Sequence, residues 1–399
     1  MRISSLAMAI GLTLTCSSAG AAVKLQTVGD LMENTEFSFG GYIKLDAFWS
    51  DYSDGKLSSN NIGRQFYVPS TIPVCTDPNG CDEGDTTMDA HARTTRFNFG
   101  TVTKMEDHTI KTFLELDFTA TPGGNERVSN SYEPRIRHAF FTFDDWLFGQ
   151  TWTTFQNTAV LPEAVDFIGV SESTVFERQA MVRYTMGNWQ FALENPETTY
   201  TPYSGGADQP GGGRVDSDDS MLPDGIVRYN MSTDYGQYVV AGMVRQLEYD
   251  AADNDDTTVG YGVSFSGKIP LGKDDIRFMV TGGSGVGRYL GLNFINGAVL
   301  DEDGGLEAID SVAGFVSYRH WWGDKWRSNF YVGGIEADND DQYTGMYANK
   351  SAYSAHANLM YSPVPRMTFG VELMYAEREL ESGDTGDMTR LMFGAKYAL

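Results

Sequence analysis

The sequence predicts an all-β protein, a transmembrane antiparallel β-barrel of about 16 strands with long extracellular loops and short periplasmic turns. Three features predict it: segments of about ten residues in which apolar and polar residues alternate, turn-formers between them, and connections of alternating length. A tilted strand needs about 9–11 residues to cross a membrane, roughly twice an average globular strand. The sequence after the N-terminus contains no run of about 18 apolar residues, so membrane-spanning helices are not expected.

The alternation begins with the first predicted strand. Ile43, Leu45 and Trp49 share one strand face, and Lys44 and Asp46 share the other. Successive side chains of a strand point to opposite faces, so one face suits lipid and the other suits water. The same two-residue period recurs near residues 110–118, 227–232, 368–375 and 390–399.

The connections between these segments alternate in length along the chain, as in bacterial outer-membrane barrels. Short connections are expected near 104–107, 144–145, 187–188, 233–235, 272–275, 323–325 and 362–365. Long connections are expected near 52–87, 120–132, 155–174, 199–223, 251–256, 291–307, 340–350 and 382–386. Together they join sixteen strands, an even number that places both chain ends on the periplasmic side.

The N-terminus has the pattern of a secretory signal peptide. Arg2 is followed by an apolar run over residues 3–15, and Ala19 and Ala21 supply the small residues of a cleavage site. We therefore predict a signal peptide over residues 1–21, a short periplasmic segment over 22–36 and the barrel over 37–399. Export favours an oxidising compartment. Cys75 and Cys81, with five residues between them that include turn-formers, are therefore predicted to form a disulfide.

The chain is strongly acidic, with 54 Asp and Glu residues against 29 Lys and Arg, which argues against a nucleic-acid partner. The acid is concentrated in the predicted long loops. These loops are candidates to bind Ca²⁺ or Mg²⁺ or to bridge lipopolysaccharide phosphates through such ions, and the alternative is a solvated surface. No cofactor is otherwise expected. The acidic runs lie at residues 216–219, 253–256, 301–303 and 338–341.

Catalytic motifs do not stand out in this sequence. The five histidines show no HExxH spacing, and no GxSxG nucleophile elbow occurs. Strands of a barrel can assemble a site from distant segments, so an outer-membrane hydrolase is kept as an alternative. We predict no enzyme and no catalytic residue.

Many arginines lie inside predicted strands. A charged side chain facing the lipid at mid-bilayer costs about 2–4 kcal/mol, so these residues are expected to face the lumen or an interface. A lumen lined by fixed cations concentrates anions. Alternatively, the arginines pair with lumen acids such as Glu115, Asp117 and Glu372 and only hold the shape of the pore. The predicted lining residues include Arg96, Arg135, Arg137, Arg178, Arg183, Arg228 and Arg390.

Residues 155–174 have the features of a constriction loop, because they follow a predicted strand and contain a Leu-Pro-Glu turn. If the loop folds inward, Glu163 and Asp166 would face the arginines across the pore.

The middle of the chain then resembles the DcaP-like porins. The resemblance rests on PRIRHAF at 134–140, WLFGQTWTTF at 146–155, LPE at 161–163, Asp166-Phe167, RQ at 178–179 and RYT at 183–185, and on GYIKLDA at 41–47. It implies a trimeric outer-membrane porin associated with uptake of dicarboxylates and other small organic anions. It also implies that Arg135, Arg137, Arg178 and Arg183 line the constriction, with Gln150 and Trp152 nearby.

The sequence departs from this family in two places. Members can carry a longer N-terminal helical segment, whereas only residues 24–36 precede the first strand here, so a trimer would rest on contacts between barrel walls. The last residue is Leu399 rather than the usual Phe or Trp. The predicted function is passive diffusion of small hydrophilic solutes across the outer membrane, preferring small organic anions such as dicarboxylates. The alternative porin function is general, weakly selective diffusion.

Overall fold

The computed structural model describes residues 34–77, 80–81, 83–121, 129–211, 213–251 and 254–399. The predicted signal peptide over residues 1–21 lies outside the described residues. The first strand begins at Thr35, two residues before the expected start of the barrel.

The described chain is almost entirely β-structure, as its alternating sequence predicts. The strands are β1 (Thr35–Tyr52), β2 (Thr86–His91), β3 (Arg96–Met105), β4 (His108–Asp117), β5 (Arg135–Phe143), β6 (Trp146–Trp152), β7 (Arg178–Met186), β8 (Trp189–Glu194), β9 (Thr198–Thr201), β10 (Val215–Ser217), β11 (Asp224–Thr233), β12 (Gly236–Ala251), β13 (Asn254–Leu271), β14 (Asp274–Ser284), β15 (Ala298–Leu300), β16 (Leu306–Ala308), β17 (Asp310–Trp321), β18 (Trp326–Asp338), β19 (Asn349–Tyr361), β20 (Met367–Leu380) and β21 (Thr385–Ala398).

The sheet closes on itself. β1 pairs with β21 in an antiparallel register that runs from Tyr42↔Ala398 to Tyr52↔Met388, which joins the first and last strands. β2 and β3 pair with successive halves of β1 and so occupy one strand position together. The closed antiparallel barrel thus has sixteen positions, which confirms the predicted fold class.

The two faces of the barrel wall differ in polarity as the alternation predicts. On β1, Ile43 and Leu45 are about half exposed on the outer surface, whereas Phe48 and Ser50 are buried inside. On β21, Leu391 and Phe393 likewise face outward and Arg390 is buried. The apolar outer face contacts lipid, as the apolar face of a soluble sheet would contact a protein core. Closure of the barrel leaves no strand edge unpaired in the hydrocarbon region.

All seven predicted short connections join consecutive barrel strands at one end of the barrel. The prediction of a long loop at 251–256 was wrong: β12 runs to Ala251, β13 starts at Asn254, and these two residues pair. Asp250 pairs with Asp255 and Tyr249 with Asp256 in this ladder, so these two acids of the run belong to a strand rather than to a separate loop.

Two of the long connections, residues 195–223 and 285–309, form a small second sheet in the order β10-β9-β15-β16. Among the described residues, no helix has the length and apolar character needed to span a membrane. The helices are short: 3₁₀ helices at Ile62–Arg64, Pro69–Thr71, Thr158–Val160, Ser171–Ser173 and Gly287–Tyr289, and α1 at Asp341–Thr344.

Candidate pore constriction

The connection between β6 and β7, residues 153–177, crosses the lumen and will be called the constriction loop. Asn157 Nδ2 donates to Ser266 Oγ on β13 at 2.9 Å. Lys44 Nζ on β1 donates to the Val165 carbonyl at 2.7 Å, and the Val165 N–H donates to Glu372 Oε2 on β20 at 2.8 Å. Because β1, β13 and β20 lie at separate positions around the wall, these bonds hold the loop inside the barrel.

The wall makes room for this loop with two glycines. A Cβ added to Gly370 on β20 would lie 2.7 Å from a methyl group of Val165, and one added to Gly394 on β21 would lie 3.0 Å from the other. Separations this short are tighter than ordinary van der Waals contact. The missing side chains therefore let the loop backbone approach the wall closely enough for its hydrogen bonds.

A second inward segment, residues 285–297, packs against the constriction loop. The Phe176 N–H donates to the Tyr289 carbonyl at 3.0 Å, and the Gly291 N–H donates to the Thr174 carbonyl at 3.2 Å. The Tyr289 hydroxyl donates to Asp224 Oδ2 on β11 at 2.7 Å. The two segments share one buried apolar cluster inside the barrel, which includes Phe155, Val160, Val170, Val175, Tyr289, Leu290 and Phe294.

Tyr289 was not among the site residues predicted from the sequence. The one available signal was the glycine-rich stretch at 282–291, which favours tight turns and close backbone contacts.

Arginines and acids form a network on β3, β4 and β5. Arg135 Nε and Nη2 lie 3.0 and 2.9 Å from the two carboxylate oxygens of Asp117. Arg137 lies 2.8 Å from Glu115 and 2.9 Å from Asp117, and Arg96 lies 3.6 Å from Glu115. Two acids therefore face three arginines. Arg137 is 1% exposed, so it holds the network together instead of meeting a solute.

Arg178 lies beside this network among aromatic rings. Its guanidinium is 4.5 Å from the centre of the Trp152 ring and 5.4 Å from that of Phe176. In the described part of the chain its Nη1 is buried without a hydrogen-bond partner. From the constriction loop, Phe167 places its ring 5.4 Å from the guanidinium of Arg137, so the loop reaches this wall as well.

Arg183 and Arg228 bind the constriction loop through neutral groups. Arg183 donates to Thr154 Oγ1 at 2.8 Å and to the Trp152 carbonyl at 2.7 Å. Arg228 donates to the Gln156 carbonyl and to Asn230 Oδ1. These contacts orient the loop, and among the described residues neither guanidinium has a carboxylate within 4.0 Å.

The two predicted acids of the loop have different surroundings. Glu163 pairs with Arg327 on β18 through both carboxylate oxygens, with Nε 2.7 Å from Oε2. Asp166 accepts hydrogen bonds from the N–H groups of Tyr67, Ile168 and Gly169 and is buried. Neither is paired with the arginines of β3 and β5. Asp166 serves the backbone of two inward loops.

Two predicted lining residues do not face the passage. Arg390 is 0% exposed, and donates to Ser50 Oγ and the Gly63 carbonyl under the first long loop. Gln150 pairs with Ala139 and shares the outer strand face of Phe148, whereas the adjacent Thr151 turns inward to His138. Gly149, with a φ of 125°, precedes it, and the sequence alone did not reveal which face the polar amide takes.

The predicted disulfide is present in the structure between Cys75 and Cys81, with the Cα atoms 5.7 Å apart. The Tyr347 hydroxyl donates to the Thr76 carbonyl at 3.0 Å, so this loop tip contacts the connection before β19. In the described ranges, no three His, Cys, Asp or Glu side chains are grouped to hold a metal ion.

Comparison with known proteins gives the family. Residues 30–399 match the family model described as DcaP outer membrane protein. The outer membrane channel DcaP of Acinetobacter baumannii has a TM-score of 0.72 at 21% identity, over 92% of this chain and 98% of that one.

More distant porins share the fold. The anion-selective porin from Comamonas acidovorans has a TM-score of 0.55 at 7% identity, over 92% of this chain and 100% of that one. A loop-deletion mutant of OmpT, an outer membrane protein of Vibrio cholerae, has a TM-score of 0.53 at 11% identity, over 92% of this chain and 100% of that one. No curated protein matched the chain. This chain belongs to the DcaP outer membrane protein family and is a porin channel of the outer membrane.

Proposed function

We propose that this porin passes small organic anions, dicarboxylates among them, in preference to cations. The observation that carries the proposal is the excess of cationic side chains around the constriction loop. Among the described residues, Arg96, Arg135 and Arg137 have two carboxylates within 4.0 Å, those of Glu115 and Asp117, and Arg178 has none. Fixed positive charge in a narrow, low-dielectric passage raises the local concentration of anions and lowers that of cations.

The excess continues toward the short turns. Glu163 pairs with Arg327, and Asp275 is shared among Lys268, Arg277 and Arg319. Within the described residues, three further cations here have no carboxylate within 4.0 Å: Arg183, Arg228 and Lys396. A dicarboxylate entering this region would exchange its hydration shell for guanidinium and ammonium donors.

The alternative is that the arginines only brace the wall, and their burial and contacts support a different role for different residues. Arg137 is buried and is bonded to both Glu115 and Asp117. Arg178 lacks such a partner and is flanked by aromatic rings, while the side chain of Arg135 is 26% exposed. We therefore assign bracing to Arg137 and solute contact to Arg178 and Arg135.

Reversal potentials in planar bilayers under a potassium chloride gradient test the proposal. We expect anion preference in the wild type and a clear loss of it in Arg178→Gln, because a neutral amide keeps much of the shape without the charge. Lys273→Gln is the matched control, since this side chain is 75% exposed in a short turn. Cation preference, or equal permeability in wild type and Arg178→Gln, would overturn the proposal and favour a general, weakly selective pore.

We further propose a homotrimer. Thr101 and Thr112 share a hydrogen bond of 2.7 Å on the outer face of β3 and β4, and Gln150 lies on the outer face of β6. Polar groups on this face suit contact with another subunit better than contact with lipid. Native mass spectrometry of the detergent-solubilised protein should show three chains, and a monomer at all concentrations would contradict this.

We also propose that residues 1–21 are a signal peptide and that the barrel contacts lipid and lipopolysaccharide. N-terminal sequencing of the purified protein should begin at Ala22, the residue after the predicted cleavage site. If Ca²⁺ or Mg²⁺ bridges the acidic loops to lipopolysaccharide phosphates, a chelator that removes these ions should release lipopolysaccharide from the purified barrel.

A further inference from the structure

A separate cavity of about 310 Å³ lies between the constriction loop and the inner wall on the short-turn side. Its roof is the loop segment from Asn157 to Val160, and its wall is formed by β11, β12 and β13. Asn188, in the turn between β7 and β8, also borders it. The cavity is therefore reached from the periplasmic half of the lumen, below the network of Arg96, Arg135 and Arg137.

Two cations line this cavity. Arg228 uses Nε for Asn230 and Nη1 for the Gln156 carbonyl, and among the described residues its Nη2 makes no hydrogen bond. Among the described residues, Lys268 has one acid within 4.0 Å, Asp275, at 3.8 Å. That carboxylate is bonded more closely by Arg277, at 2.7 Å, and also by Arg319. The positive charge of the cavity is thus only partly compensated.

The remaining lining offers neutral hydrogen-bonding groups beside a short apolar roof. Gln237 pairs with Ser232 on one side and with Lys268 on the other, which places the three inward side chains in one row. In the described parts of the chain, the Gln237 amide and the Ser232 hydroxyl have no hydrogen-bond partner. Ala159 and Val160 supply the apolar surface of the roof.

We propose that this cavity is a second anion-binding subsite, on the periplasmic side of the constriction, for small carboxylates that carry a hydroxyl group. The carboxylate would bind Lys268 and the free Nη2 of Arg228, and the hydroxyl would bind the Gln237 amide beside Lys268. An amide with no protein partner can form a hydrogen bond with a hydroxyl group of the solute. Each such bond raises the occupancy of the subsite by the solute about 2- to 10-fold. This inference rests on the proposed anion conduction.

The position of the subsite gives it a defined effect on transport. A solute that leaves Arg178 and Arg135 would meet Lys268 and Arg228 before reaching the periplasm. Successive weak sites let an ion advance without a deep energy well at any one of them. The subsite should therefore be occupied more readily by solute added on the periplasmic side than on the extracellular side.

Single-channel recording with L-malate and succinate as probes tests this, because malate is succinate with one added hydroxyl. In wild-type channels we expect malate added on the periplasmic side to interrupt the current about 2- to 10-fold longer per event than succinate. Gln237→Leu should reduce this difference to near unity. Lys268→Gln should shorten both dwell times at least threefold, and Lys268→Arg should retain them.

Two controls separate a local effect from loss of structure or of anion conduction. Lys273→Gln, on the exposed turn next to β13, should behave as wild type in dwell time and conductance. Arg178→Gln should change the reversal potential. It should leave the dwell time of malate added on the periplasmic side unchanged. If wild-type channels are anion-selective but Gln237→Leu and Lys268→Gln leave malate dwell times unchanged, the subsite is refuted and the proposed function survives. If the wild type prefers cations, both proposals fall.

Discussion

Glu163 in the constriction loop and Arg327 on β18 form a two-pronged ion pair, with Arg327 also donating to Ser362 at 2.9 Å. Arg327 is nearly buried and Glu163 is partly so, with side-chain exposures of 8% and 27%. The carboxylate therefore both neutralises a lumen cation and fastens the loop to the wall opposite β3 and β5.

Glu163→Gln should loosen the loop and free the charge of Arg327. Removing one partner of a fully buried pair costs about 3–5 kcal/mol, so about 1–3 kcal/mol is expected for this partly exposed one. Current noise should rise and anion preference should increase in bilayer recordings. Asp324→Asn removes the exposed partner of Lys273 and should do neither. An unchanged reversal potential and noise level in Glu163→Gln would show that the pair is dispensable.

Tyr289→Phe should weaken the attachment of both inward segments. The hydroxyl donates to Asp224 and accepts from Gln179 Nε2 at 2.6 Å, so its loss leaves two buried polar groups short of a partner. A cost of about 1–3 kcal/mol is expected, measurable as a lower thermal unfolding temperature and as flickering of the open channel. Tyr235→Phe is the matched control, because that side chain is 81% exposed in a short turn. Equal behaviour of the two variants would contradict this role.

Opening the Cys75–Cys81 disulfide should affect stability only slightly. The bond spans a sequence separation of six residues, and the chain-entropy model gives about 2 kcal/mol for so short a ring. The Cys75→Ser, Cys81→Ser double variant should keep wild-type conductance and selectivity, since the Tyr347–Thr76 contact reaches an outer loop rather than the constriction. A shift in reversal potential would show that the first long loop shapes the pore.

The barrel could be predicted because its strands are governed by one local rule. Alternation along β1 assigns Leu45 to the outside and Lys44 to the inside without any knowledge of the partner strands. The cost of a charge in lipid predicted in addition that the strand arginines face the lumen or an interface. It could not tell which of them meet solute, because Arg390 is covered by a loop from far along the chain.

Long-range loop packing explains the other failures. The inward course of residues 285–297 depends on contacts such as Phe176 with Tyr289, which have no local signature in the sequence. Likewise, Asp166 was expected to face the arginines but is used by three backbone N–H groups of two loops. The two-residue alternation predicts the strands of the barrel wall. The shape of the passage inside the wall depends on how several loops pack against one another.

Gly370→Ala tests whether that fit controls the passage. The added Cβ would lie 2.7 Å from Val165, whose N–H and carbonyl are both hydrogen-bonded to the wall, so the loop backbone must shift into the lumen. Overpacking of this kind costs typically about 1–3 kcal/mol. Single-channel conductance should fall while selectivity keeps its sign, because the lumen charges are unchanged. Gly323→Ala, where a Cβ meets open space in a short turn, is the control. Wild-type conductance in Gly370→Ala would mean that the gap between Val165 and the wall does not set the width of the pore.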